Sequence, residues 1–454
     1  MKGQSKLQQA RREFRVLLIF WNALRKPPLV IICADCQPKT ANPEYWIQYR
    51  VPENQYDIIV VGAGIIGLST TLTLLERHPG LKIALLEKGD DIAQQQTGHN
   101  SGVIHSGIYY KPGSFKAQFC VEGRASMVKF CQENEIPYRE IGKVIVASDD
   151  VQVERLKILE ERGKANDVEG LRLVDQDELA ELEPHVKGIA ALFAPKTGIV
   201  NYQDVSRVYA EKVQNAGAEI HLNSKVESFE RHDGLIYIET ESGEFSAKNI
   251  INCAGLHSDR VARMMGVDPG LHIIPFRGEY YTIKKEREHM VKHLIYPVPD
   301  PAFPFLGVHF THNMKGYVEA GPNAVLAMRR EGYRKRDFSI GDSWETFTFG
   351  GFWKMTARDW KTGFYEVNRS LRKSVFVKDL QKMIPEIKKS DLGTGGSGVR
   401  AQAVDNQGNL LDDFRIAQTE DAVHVLNAPS PGATSSLVIG NRVADMAEET
   451  FALI

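Results

Sequence analysis

Residues 56–88 constrain this chain more than any other stretch. Tyr56-Asp57-Ile58-Ile59-Val60-Val61 is a run of β-formers whose apolar part suits one buried parallel strand. Gly62-Ala63-Gly64-Ile65-Ile66-Gly67 follows, and an apolar-periodic segment through Leu75 predicts a helix. A second strand, Lys82-Ile83-Ala84-Leu85-Leu86, ends at Glu87. In such a unit Gly62 permits the tight turn, Gly64 lets backbone N–H groups approach a pyrophosphate, and Gly67 lets helix and strand pack closely. The pyrophosphate would sit at the helix N-terminus, where unpaired amides and the macrodipole favour an anion. Glu87, about 20 residues past the glycines, is placed to accept ribose hydroxyls. Its charge would repel the extra phosphate of NADP, which leaves FAD or NAD. Strand, glycines, helix, strand and acid in that order are far more specific than a glycine triplet alone.

The chain has 454 residues, enough for two or three domains with ample core. Its 56 basic and 58 acidic residues give a net charge of −2, which predicts no general affinity for nucleic acid. Five scattered cysteines suit a reducing compartment better than a disulfide scaffold. Cys33-Ala34-Asp35-Cys36 has the spacing of a metal or redox pair, but no second pair or nearby histidine completes it, and no metal is expected.

Residues 1–50 precede the fold. Lys2, Lys6, Arg11, Arg12, Arg15, Arg25 and Lys26 face a single acid, Glu13, in the first part of this segment. A basic, acid-poor, amphipathic segment has the make-up of an organelle transit peptide, with a frayed basic arm as the alternative. The apolar run Val16–Trp21 is too short to span a bilayer, and no later segment reaches that length without charges. Membrane contact would be peripheral.

Between Thr97 and Tyr110 lies a loop rich in small residues that carries His99 and His105. Its glycines suit a backbone closing over a flat ligand, and His105 is either a group near a redox ring or an ordinary loop histidine. Helices are expected over 116–133, 151–166 and 202–216, the last stopped by Gly217. Strands are expected over 143–147, 219–222, 235–240 and 248–251. The last of these runs into Asn252-Cys253-Ala254-Gly255, small residues that again permit close approach to a ligand. Between 272 and 385 aromatics, glycine and proline become frequent. The β-signals Phe276–Ile283, Leu306–Thr311 and Gly316–Pro322 predict an inserted antiparallel sheet, with a more helical stretch over 347–382. The glycine run Gly393–Arg400 then precedes a strand, Ala422–Leu426, and a closing helix, Leu437–Thr450.

The fingerprint, His99–Tyr110, Pro275-Phe276-Arg277-Gly278-Glu279-Tyr280, Gly398-Val399-Arg400-Ala401-Gln402 and Pro431–Ser436 resemble the D-amino-acid-oxidase-like FAD oxidoreductases over residues 56–450. The resemblance implies an α/β fold: a discontinuous Rossmann-like FAD-binding domain (56–135, 200–271 and 386–450) with an inserted α+β substrate domain (136–199 and 272–385) on a mostly antiparallel sheet. It implies FAD contacts at the glycine turn with Ile65 and Ile66, at Glu87 and Lys88, and at Ser101, Gly102 and His105. Further contacts are implied at Val226, Ala254, Gly255, Gly398 and Arg400, and at Gly432, Ala433, Thr434 and Ser435. It also implies oxidation of L-2-hydroxyglutarate to 2-oxoglutarate in mitochondria. Electrons would pass to a membrane-linked acceptor at the inner membrane, a quinone or an electron-transfer flavoprotein, not to oxygen.

That chemistry makes demands on side chains. Hydride loss from C2 to flavin N5 needs a base for the hydroxyl proton, and a dicarboxylate needs cationic clamps. His309, between apolar neighbours, is the first candidate base and His105 the second. Arg400 is the expected clamp for the carboxylate nearest the reacting carbon, and Arg277 a candidate for the flavin or the distal carboxylate. Tyr280, Tyr281 and Lys361 are further polar candidates. The rivals are a related flavoenzyme acting on glycerol 3-phosphate or a small amino acid, and a dinucleotide-binding module without catalysis.

Overall fold

The computed structural model describes residues 54–300 and 307–453. The basic N-terminal segment and the Cys33/Cys36 pair lie outside the described residues. The largest sheet is built on the fingerprint. Strand Gln55–Val61 runs parallel between Ile83–Leu86 and Gly243–Asn252, and Ala422–Asn427 extends the parallel set beyond the latter. Ile58, Ile59 and Val60 have no exposed surface, the burial that an all-apolar parallel strand requires. Helix Ile65–Arg77 buries Leu68, Leu72 and Leu75 and packs against helices Tyr202–Asn215 and Ser436–Phe451. Gly440 allows the last of these to close in, since a Cβ there would stand 2.8 Å from the Ser69 backbone. The antiparallel strands Val226–His232 and Leu235–Thr240 complete one flank of the sheet.

A second sheet has seven strands drawn from two separate parts of the chain. Lys143–Ala147, Arg172–Asp175 and Ala190–Ala194 come from the first, and Tyr281–Thr282, Leu294–Pro297, His309–His312 and Val318–Gly321 from the second. Every pairing is antiparallel except that of Leu294–Pro297 with Lys143–Ala147. The fold is thus mixed α/β, with a parallel nucleotide-type sheet and a mostly antiparallel second sheet. Val144, Ile295, Phe310 and Ala320 form its core with Phe376 and Leu380 of helix Lys373–Leu380.

The glycine-rich stretch at 393–400 is not only a loop. From Ser397 it is a strand, Ser397–Asp405, which pairs rung by rung with Leu271–Glu279 over nine residues. This ladder joins residues on both sides of the boundaries expected at 271/272 and 385/386. The expected helical stretch resolves into Ile340–Thr348, Gly350–Leu371 and Lys373–Leu380. The β-signal at 306–311 is a strand only from His309, and Leu306 lies outside the described residues.

Candidate active site

The glycine turn is sterically obligatory. Gly62 has φ +105°, and a Cβ there would lie 2.7 Å from the Cys253 carbonyl oxygen. A Cβ at Gly67 would stand 2.0 Å from the Gly62 carbonyl oxygen. Gly64 caps helix Ile65–Arg77 without a side chain, and the first helical N–H, that of Ile65, donates to Thr97 Oγ1 at 3.1 Å. The Glu87 carboxylate accepts from Ala63 N (3.0 Å) and Gly89 N (2.9 Å), which fixes it beside the turn and leaves lone pairs for hydroxyl donors. Lys88, pushed down to about 8 by burial, is ion-paired with Glu331.

From this turn opens a cavity of about 1550 Å³. Gly62, Gly64, Ile65 and Ile66 line it together with Glu87, Lys88, Ser101, Val226, Ala254 and Gly255. Gly398, Gly432, Ala433 and Thr434 line it too, as do His105, Tyr280, His309 and Arg400. Three expected contacts lie just behind the wall. Gly67 lets the helix reach the turn. Gly102, at φ +67°, sits 2.7 Å (from a built Cβ) below the Val200 carbonyl oxygen. Ser435 abuts Gly123, whose Cβ would lie 2.6 Å from its Cα.

The chemistry-bearing part of the cavity is aromatic and basic. His309, 6% exposed, lies on Tyr296 with ring centroids 3.9 Å apart and planes 17° from parallel. Its Nδ1–H donates to the Gly307 carbonyl at 2.9 Å, a tautomer assigned from that partner, which leaves Nε2 as the acceptor. Burial, with Arg400 and Lys143 nearby, pushes His309 down to about 3. His105 is likewise pushed down to about 3 by burial. Its backbone N–H donates to Thr434 Oγ1 at 3.1 Å, and the Ser430 hydroxyl lies 3.4 Å from its Nε2. Burial also lowers Arg400 below the usual guanidinium range, opposed by the fields of Tyr280 and Glu366. Two neutral imidazoles and a guanidinium therefore share one cavity wall.

Arg277 does not join them. In the nine-rung ladder Arg400 is opposite Phe276 while Arg277 is opposite Val399. Directly paired residues share a face and neighbours alternate, so Arg277 points away from Arg400. Its guanidinium is held by Glu279 (Nη2 to Oε1 3.0 Å) and donates to the Arg334 carbonyl at 3.2 Å. Lys361 lies on an exposed helix over Trp360, and Tyr281 packs edge-on against Phe376, so neither lines the cavity. Sequence reasoning missed Tyr296 and Lys143. The lysine opens the otherwise apolar strand Lys143-Val144-Ile145-Val146-Ala147, and that mismatch was the available signal.

Among the described residues no cluster of three or more His, Cys, Asp or Glu is placed to hold a metal ion. What the cavity fits is a long flat dinucleotide. The glycine cradle and helix N-terminus would take the pyrophosphate, Glu87 the ribose, and the small residues at Ala254, Gly255 and Gly398 would leave room for the ring system.

A cradle of this kind, facing His309 of the second sheet and Arg400 of strand Ser397–Asp405, defines a flavoprotein oxidoreductase. The model of the FAD dependent oxidoreductase family matches residues 57–446, and the chain belongs to that family. It is an FAD-dependent enzyme. A curated relative from Indibacter alkaliphilus, "L-2-hydroxyglutarate dehydrogenase", is 53% identical over 87% of this chain and 100% of that protein. The same-named Escherichia coli K12 protein is 45% identical (87% and 94%), and the human mitochondrial one 44% identical (88% and 90%). Solved structures share the fold. An L-alpha-glycerophosphate oxidase from Mycoplasma pneumoniae, solved with FAD bound, has a TM-score of 0.70 at 23% identity, covering 86% of this chain and 95% of that one. Glycine oxidase from Geobacillus kaustophilus has 0.66 at 17%, with coverage of 87% and 95%.

Proposed function

We propose that this enzyme oxidises L-2-hydroxyglutarate to 2-oxoglutarate. The observation that carries the reading is the bare Nε2 of His309 and the guanidinium of Arg400 on one wall of the cavity that the glycine turn opens. In this reading residues 56–135, 200–271 and 386–450 serve the cofactor, and 136–199 and 272–385 the substrate. Bound FAD supplies the acceptor for the hydride of substrate C2. Arg400 grips the carboxylate beside that carbon with its two-pronged fork. His309 Nε2 takes the hydroxyl proton, and its ring is held for the purpose by Gly307 and Tyr296. His105 is the second candidate for that proton. A carboxylate brought against His309 raises its basicity above that of the ligand-free site, which a base at neutral pH requires. Tyr280, pushed up to about 12 by burial, keeps its proton and donates to the substrate.

The electrons leave, in this proposal, to a membrane-linked quinone or electron-transfer flavoprotein at the mitochondrial inner membrane. Supporting it, helices Ile340–Thr348 and Gly350–Leu371 leave Trp344, Trp353, Trp360 and Phe364 between 54% and 72% exposed. Lys354, Arg358 and Lys361 are exposed among them. Aromatics interleaved with basic residues suit the interface of an anionic bilayer. No helix among the described residues is long and apolar enough to cross a membrane, so contact would be peripheral.

The test is flavin absorbance of the holoenzyme without oxygen, mixed in turn with L-2-hydroxyglutarate, its D-enantiomer, glycerol 3-phosphate and sarcosine. Bleaching by the L-diacid alone is expected. Bleaching by another compound would move the function to that substrate.

A further inference from the structure

Lys143 is 1% exposed, and no carboxylate among the described residues pairs with it. Burying an ammonium in this way is costly and calls for a reason. Its Nζ lies 4.7 Å from the ring centre of Tyr109 and 5.0 Å from that of Tyr296, so two aromatic faces stand where a counter-ion would. The imidazole of His309 is stacked on Tyr296 as well. A cation, a phenol ring and the candidate base therefore form one pile.

The charges around this pile are one-sided. His309 feels Arg400 and Lys143, and His105 feels Lys143, each cation disfavouring protonation. The titratable groups facing Lys143 are Tyr109, Tyr296, Cys120, His105 and His309. Ala190–Ala194, paired on its other side, contributes none. All are uncharged near neutral pH: burial pushes the phenols up, lifts Cys120 to about 12, and lowers both histidines. Glu319 and Glu366 act on Tyr280 and Arg400, not on this pile. Two buried positive charges, one touching the cavity and one behind its aromatic wall, fit a ligand with two negative charges.

We propose that Lys143 is a positioning residue that sets the preference for a dicarboxylate, presenting through Tyr109 and Tyr296 the second of two charges that balance the substrate's carboxylates. This rests on the reading of the substrate given above, and it replaces Arg277 as the source of the second charge. Lys143 touches neither substrate nor cofactor in this role. Its field crosses a low-dielectric wall, where screening by water is weak.

The test compares binding of 2-oxoglutarate and of the monocarboxylate 2-oxovalerate to oxidised holoenzyme, read from perturbation of the flavin spectrum. Lys143→Met should weaken 2-oxoglutarate by about tenfold while moving 2-oxovalerate less than about twofold. Equal losses for both, or no loss for the diacid, would overturn the proposal. Wild-type enzyme gives a second readout that needs no variant to fold. Burial pushes Lys143 down to about 8, so the preference for the diacid should fall as pH rises past that value and the charge is lost. A preference that stays flat up to about pH 10, near the ordinary lysine value, would also overturn it. Failure of L-2-hydroxyglutarate to bleach wild-type flavin is a separate outcome, which removes the substrate assignment and leaves the two-anion comparison to stand by itself.

Discussion

The hydroxyl of Tyr202 stands 2.9 Å from that of Thr434, and both reach the carbonyl of Val103, at 2.9 and 3.2 Å. Thr434 in turn accepts the backbone N–H of His105. The histidine loop is thus pinned to the turn before the last helix through one buried phenol. Tyr202→Phe should cost about 1–2 kcal/mol and lower flavin retention. Denaturant unfolding and the flavin-to-protein ratio check it, and unchanged values for both would show that the pin is dispensable.

Two glycines should behave in opposite ways. Gly67→Ala brings a methyl group to 2.0 Å from the Gly62 carbonyl oxygen, so the turn must open and the purified protein should be colourless. Gly363 lies in helix Gly350–Leu371 with nothing within 4 Å of a built Cβ. Gly363→Ala should leave the flavin in place and stabilise by about 0.5–1 kcal/mol, read from thermal unfolding.

Stopped-flow reduction separates proton removal from substrate binding. His309→Asn should slow flavin bleaching by about 100- to 10,000-fold at saturating L-2-hydroxyglutarate. Arg400→Lys keeps a charge but loses the fork, and should chiefly raise the substrate concentration needed for half-maximal reduction. A normal rate in the His309 variant would transfer the role to His105.

Acid should unfold the protein over a defined window. Burial pushes His105, His257 and His309 down to about 3 and His424 to about 4, against about 6.5 in the unfolded chain. Below about 6.5 the unfolded chain binds protons that the native state refuses. The contribution to stability is therefore complete above that pH and is lost as pH falls towards 3. Melting temperature should drop steadily between about pH 6.5 and 4, and less steeply in His309→Asn. A flat profile would contradict the burial of these rings.

The fingerprint was legible because each of its parts is local. A buried strand, obligatory glycines and an acid at fixed spacing need no knowledge of distant partners. His309 drew notice as a histidine between apolar neighbours and Arg400 through the family resemblance, and both line the cavity. The direction of Arg277 was not legible, because which way a strand residue points depends on the register of its partner, and Val399 lies more than a hundred positions away. Lys143 was hidden for a related reason. Its aromatic companions, Tyr109 and Tyr296, come from distant parts of the chain. The strand at 397–405 was masked by glycines that read as a loop. At Gly398 the glycine serves instead to let the His99 carbonyl oxygen approach, since a Cβ would meet it at 2.2 Å.

The ladder between Leu271–Glu279 and Ser397–Asp405 places Arg400 by counting. A slip of one residue would turn the Arg400 guanidinium toward the interior now filled by the side chains of Val399 and Ala403. A single-residue insertion or deletion in either strand should therefore be as damaging as losing the arginine itself. Length changes among proteins of this kind are expected instead in the turns on either side, where they leave the parity of the strands intact.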